Sequence, residues 1–87
     1  MKREDYEWLV KILASVINAA ERGNELSFHV TCYKPDDLGK TTFYLSVSQF
    51  NPSDPMDKLV RSDSWMVTEN ENIFGDPEEI LKVVNAL

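Results

Sequence analysis

The sequence has little of the chemistry on which most enzymes and metal sites depend. Its 87 residues include one cysteine, one histidine and three glycines. Gly23, Gly39 and Gly75 are too widely spaced for a phosphate-binding glycine loop. His29 and Cys32 have opposite parity on one predicted strand, so they point to opposite faces and form neither a catalytic pair nor a zinc site. We therefore expect no enzymatic activity, no bound metal and no cofactor.

Sequence features of secretion and membrane insertion are also lacking. A single cysteine forms no internal disulfide, and acidic residues interrupt what would be the basic start of a signal peptide. No apolar run approaches the roughly 18 residues that cross a bilayer. The expected location is the cytoplasm, with no membrane contact.

Basic residues are scarce as well: 9 Lys and Arg stand against 15 Asp and Glu, a net charge of −6. Phosphate backbones are bound by concentrated cations, so direct nucleic-acid binding is not expected. The acidity is unevenly distributed, because residues 1–34 hold five acids and five bases, whereas residues 35–87 hold ten acids and four bases. The whole excess therefore belongs to the second part.

The apolar pattern predicts a single α+β domain over residues 1–87, in the order α-β-β-β-α. Spacing by three and four predicts a helix over 5–22, and period-two alternation predicts strands over 26–33, 40–50 and 59–68. A short carboxy-terminal helix should begin with Asp76 as its N-cap and Pro77 in its first position. The three strands should form an antiparallel meander packed against the N-terminal helix.

Two finer expectations concern packing. The buried stripe of the first helix should comprise Tyr6, Leu9, Val10, Leu13, Val16, Ile17 and Ala20, widened on one flank by Trp8 and Ile12. Pro35 and Gly39 predict a turn over 34–39, which would pair Tyr33 with Lys40 and place His29 opposite Tyr44.

A run of acids in the second part is the first candidate binding surface. No Lys or Arg interrupts it, and it comprises Asp63, Glu69, Glu71, Asp76, Glu78 and Glu79. A solvated surface that aids solubility would explain these residues. They would equally serve as a patch that docks on a basic site of a partner protein.

The sheet face that points away from the helix is the alternative interface. Aromatic residues and methionine are enriched in protein contacts, and this face is predicted to carry His29, Tyr33, Tyr44, Phe50 and Met66. The carboxy-terminal helix or a loop would cover it within one chain. Otherwise it would form a homodimer or hold a small ligand or a partner.

Small size, strong acidity and the helix–meander–helix layout together resemble several phage- and mobile-element-encoded inhibitors, anti-CRISPR proteins among them. The resemblance is architectural and involves no diagnostic residue. The resemblance favours a non-enzymatic inhibitor and identifies no site. The acidic run adds the expectation that such an inhibitor would occupy a basic or nucleic-acid-binding site of its target.

Overall fold

The computed structural model describes residues 2–51, 53, 59–69 and 71–87. Two helices pack on one face of an antiparallel sheet with strand order β1-β2-β3-β4. The elements are α1 (Arg3–Glu21), β1 (Glu25–Tyr33), β2 (Thr42–Phe50), β3 (Leu59–Thr68), β4 (Asn72–Phe74) and α2 (Pro77–Asn85). The predicted α+β fold with its antiparallel meander is confirmed, and β4 is an addition to it. The sequence also predicts a break over 51–55, where two prolines interrupt the strand pattern, and most of that segment lies outside the described residues.

The core lies between this sheet and the two helices. Trp65 is 1% exposed, and its ring meets that of Phe43 edge-on at 5.1 Å between centroids. Arg22 of the α1 C-cap donates through Nη2 to the carbonyl oxygen of Val84 (3.3 Å), which ties α1 to α2. The buried apolar residues are Ile12, Val16, Ala19, Phe43, Leu45, Val47, Trp65, Val67, Ile80 and Val84.

The predicted buried stripe of α1 is wrong in most of its members. Val16 is buried and Leu9 packs against the core, as expected, and the widening residue Ile12 is fully buried. Ala20 is exposed, and so are four large members of the stripe: Tyr6, Val10, Leu13 and Ile17. The helix carries apolar residues on two neighbouring arcs, and periodicity alone does not determine which arc faces the sheet. The sheet and α2 cover the arc that contains Ile12 and Ala19.

The predicted register of the first hairpin is wrong by two residues. Tyr33 pairs with Thr42 rather than Lys40, and His29 lies opposite Ser46 rather than Tyr44. The cause lies in the turn, where Asp36 Oδ1 accepts hydrogen bonds from the backbone N–H groups of Leu38 and Lys40, each 2.9 Å long. Lys40 therefore belongs to the loop. A shift of two preserves parity, so the apolar residues stay on the predicted face.

Candidate functional site

The six acids of the predicted patch lie in different environments. Asp63 is paired with Arg61, whose Nε lies 2.8 Å from its carboxylate. Glu69 accepts hydrogen bonds from the hydroxyl (2.8 Å) and the backbone N–H (3.3 Å) of Thr41, and these bonds lower the pKa of Glu69 below its usual value. Glu79 borders a surface cavity that Arg61 and Lys82 also line. These acids are therefore close to local donors or cations.

Glu71 and Asp76 lie together at a cleft of about 480 Å³. The cleft is bounded by the start of α1, the end of β3, β4 and the start of α2. Among the described residues that line it, four carry carboxyl groups and one carries an amine: Glu4, Asp5, Glu71, Asp76 and Lys2. We call this feature the acidic cleft. Glu78 follows it in the first turn of α2.

Asp5 is the unusual member of the acidic cleft. The residue is 8% exposed, and its Oδ2 is buried without a hydrogen-bond partner among the described residues. A buried polar atom in this condition is costly, since desolvation is not compensated by a new hydrogen bond. Asp5 thus has unused hydrogen-bonding capacity at a surface cleft.

Burial raises the pKa of Asp5 above its ordinary value, and the neighbouring Glu4 carboxylate acts in the same direction. Lys2 opposes the shift through its charge and through a hydrogen bond of its backbone. A cation entering the cleft would relieve this cost, because it would favour the charged carboxylate. The electrostatics of the acidic cleft therefore suit a positively charged group.

Asn72 organises the floor of the acidic cleft. Its Oδ1 accepts a hydrogen bond from the indole Nε1 of Trp65, and its Nδ2 donates to the carbonyl oxygen of Gly75 (2.8 Å). Gly75 has a positive φ of 83° and lies directly against β3, because a Cβ there would be 2.1 Å from the Ser64 carbonyl oxygen. Asp76 then caps α2 by accepting from the backbone N–H of Glu78 at 3.0 Å. These contacts fix the position of Asp76 between β4 and α2.

The sheet face away from the helices brings together part of the predicted aromatic set. Tyr44 lies beside Met66, which pairs with Phe74 of β4, and the rings of Tyr44 and Phe74 are 6.1 Å apart. Tyr44 exchanges a 2.9 Å hydrogen bond with the Ser64 hydroxyl. Both helices pack on the opposite face. Tyr44, Met66 and Phe74 therefore form a short row across β2, β3 and β4, which we call the aromatic row.

The other predicted members of this face lie apart from that row. His29 Nε2 is 3.0 Å from the Thr31 hydroxyl, and it is not opposite Tyr44. Tyr33 is 48% exposed at the end of β1, and Phe50 lies opposite Glu25 near the other end of the sheet. Ser46 and Ser48 lie between Tyr44 and Phe50 along β2, so the predicted aromatic surface is not continuous.

The part of the chain that is described contains neither a cluster of metal-ligating side chains nor a helix that could span a membrane. Within it, no three His, Cys, Asp or Glu side chains are grouped so as to hold a metal ion. The two helices there are too short or too polar to span a bilayer. Cys32 is a free, exposed thiol.

Sequence reasoning missed four residues of the acidic cleft: Lys2, Glu4, Asp5 and Asn72. Acids in the first turn of a helix are ordinarily explained by the helix dipole, so the sequence alone gives no indication that Asp5 is buried. Asn72 lies in a strand of three residues, which is too short for an alternation pattern. One sequence feature could have indicated this part of the site. In residues 72–77, Asn–Ile–Phe–Gly–Asp–Pro, a polar residue is followed closely by residues that form a turn.

Comparison with protein-family models, curated proteins and solved structures finds no match to this chain.

Proposed function

We propose that this chain is a non-enzymatic interaction module that binds a basic surface of a partner protein through its acidic cleft. The observation that carries the proposal is the buried Asp5 carboxylate, whose Oδ2 has no hydrogen-bond partner among the described residues. Lysine and arginine side chains supply both the charge and the donors that such a carboxylate lacks.

The charges around Asp5 support the same partner chemistry. Glu4, Glu71 and Asp76 line the acidic cleft beside Lys2, so the described lining carries a negative excess. Charge complementarity of this kind speeds association and excludes acidic partners. A partner whose basic site ordinarily holds nucleic acid fits this description, and the chain would then act as an inhibitor by occupying that site.

The test uses a fluorescent oligoarginine peptide as a basic probe, with binding followed by fluorescence anisotropy. In Glu4→Gln/Glu71→Gln the acidic cleft loses two carboxylates, and we expect the affinity to fall about tenfold, which corresponds to about 1.4 kcal/mol. Affinity of the unmodified chain should also fall steeply with added salt.

The matched control is Glu25→Gln/Asp37→Asn, which removes the same number of negative charges from exposed positions outside the acidic cleft. Both double variants change the net charge from −6 to −4, since two negative charges are lost in each. The control should bind nearly as well as the unmodified chain. Equal weakening of the two variants, or no binding by the unmodified chain, would reject the proposal.

The second candidate is a homodimer or a small-ligand site on the aromatic row of the sheet. It is favoured by the position of both helices on the opposite face, which leaves Tyr44, Met66 and Phe74 without a helical cover. Its characteristic result would be an association that Tyr44→Glu abolishes and that the acidic-cleft variant leaves intact.

A further inference from the structure

The outer side of α1 carries a row of large apolar residues that the fold does not use. Tyr6, Val10, Leu13 and Ile17 are 53%, 64%, 41% and 50% exposed. Steps of four, three and four residues place them on one side of a helix, with the spacing of a coiled-coil seam. We call this row the α1 stripe. A continuous apolar row this exposed is typical of a contact surface.

The α1 stripe lies on a different side of the helix from the acidic cleft. At about 100° per residue, the stripe is centred well over 90° away from Asp5 and Trp8, which line the cleft. Tyr6 also borders a pocket of about 200 Å³ with Cys32 and Tyr33, so the apolar surface continues towards the outer strand β1. Both surfaces can therefore be occupied at the same time.

We propose that the α1 stripe is a homodimer interface, in which α1 packs antiparallel to α1 of a second copy. The spacing of four, three and four is the same in both directions along the helix. Antiparallel packing therefore sets Tyr6 against Ile17 of the second copy, and Val10 against Leu13 of the second copy. Each apolar residue then meets an apolar residue without any change of backbone.

Charge at the two ends of the stripe selects the antiparallel orientation. Arg3 and Glu21 are eighteen positions apart, five turns at about 3.6 residues per turn, so they lie along the same edge of the stripe. In an antiparallel pair, equivalent edges meet, and Arg3 of one copy lies near Glu21 of the other. A parallel pair would place the two N-termini together and the two C-termini together, so that the helix dipoles would repel each other.

Arg3 is available for such a contact. Arg3 forms an ion pair with Glu7 on the next turn, at 3.5 Å, and its side chain remains 94% exposed. An exposed pair of this kind contributes little stability and is easily exchanged. Four apolar residues from each copy form a small interface, so the expected dissociation constant is micromolar.

Sedimentation velocity over a range of protein concentrations tests the dimer. The unmodified chain should pass from monomer to dimer with rising concentration, and Val10→Glu should stay monomeric throughout. Because Val10 is exposed in the monomer, its variant should keep the melting temperature and the far-ultraviolet circular dichroism spectrum. Ile17→Glu serves as a second variant on the same stripe.

Tyr44→Glu is the control, since Tyr44 lies on the sheet face away from α1 and should leave the dimer unchanged. A monomer at every concentration would overturn the proposal. So would a dimer that Tyr44→Glu abolishes and the two α1 variants tolerate. Neither result would affect the acidic cleft, whose test follows oligoarginine binding.

Charge exchange tests the orientation. Arg3→Glu and Glu21→Arg should each weaken the dimer severalfold, because each sets like charges against one another. The double variant Arg3→Glu/Glu21→Arg should restore the affinity. In a parallel dimer Arg3 of one copy and Glu21 of the other would lie at opposite ends of the interface in every variant, so a double variant that restores nothing would overturn the antiparallel arrangement.

Discussion

Gly75→Ala is expected to destabilise the domain more than alanine at either other glycine. The positive φ of 83° alone costs a residue with a Cβ about 1–2 kcal/mol. The added Cβ would also lie 2.1 Å from the Ser64 carbonyl oxygen and 2.9 Å from the Trp65 Cα. Backbone atoms do not move aside cheaply, and overpacking adds about 1–3 kcal/mol. Urea denaturation followed by circular dichroism measures the loss.

Gly39→Ala is the matched control for this prediction. Gly39 has a similar φ of 76°, but a Cβ there has no neighbouring atom within 4 Å. Gly39→Ala should therefore show the conformational cost without the steric clash, and its urea midpoint should fall less than that of Gly75→Ala. Equal losses in the two variants would mean that β3 and the β4–α2 turn are not in the close contact described.

Trp65→Ala should lower the free energy of unfolding by about 3–5 kcal/mol, as expected for a large aromatic residue removed from a core. Trp65 is 1% exposed, packs edge-on against Phe43, and donates its indole N–H to Asn72. The substitution creates a cavity and removes the partner of Asn72 at the floor of the acidic cleft. A domain of 87 residues has about 4–13 kcal/mol of stability in total. The urea midpoint should therefore fall sharply.

Trp8→Ala provides the comparison, because Trp8 lines the same cleft but is only half-buried. It should cost distinctly less than Trp65→Ala. If the two variants lose similar stability, the core is not centred on Trp65 as the structure places it.

The fold was largely predictable because local rules agreed with one another. The cap formed by Asp76 and Pro77 and the alternation of Phe43, Leu45 and Val47 each fix an element without reference to the rest of the chain. The register was not predictable in this way. It depends on Asp36, whose side chain holds a longer loop than the proline and glycine alone suggest.

The acidic cleft and the α1 stripe were less predictable than the fold, because both depend on how the elements pack together. Tyr6 and Ile12 are equally apolar in a helical pattern, and only the positions of the sheet and α2 decide that Ile12 is buried. Asp5 and Glu71 are far apart in the sequence, and only the fold brings both of them to the lining of one cleft. Charge counting found the acidic second part of the chain but missed the acids that α1 contributes.

The proposed function depends above all on the burial of Asp5 in the acidic cleft. Burial raises the pKa of Asp5 above 3.8, so the charged carboxylate costs stability at neutral pH. That cost is fully present above the folded-state pKa and is relieved as the pH falls from that value towards 3.8. Asp5→Asn should therefore be at least as stable as the unmodified chain at neutral pH, with the difference shrinking as Asp5 takes up its proton.

The most direct measurement is a carbon-13 NMR titration of the Asp5 carboxyl in the folded chain and in urea, with Asp5→Asn confirming the assignment. If Asp5 is buried in the acidic cleft, its pKa should lie above 3.8 in the folded chain and return to about 3.8 in urea. A folded-state pKa at or below 3.8 would contradict the account, because Asp5 would then be solvated or already paired with a cation.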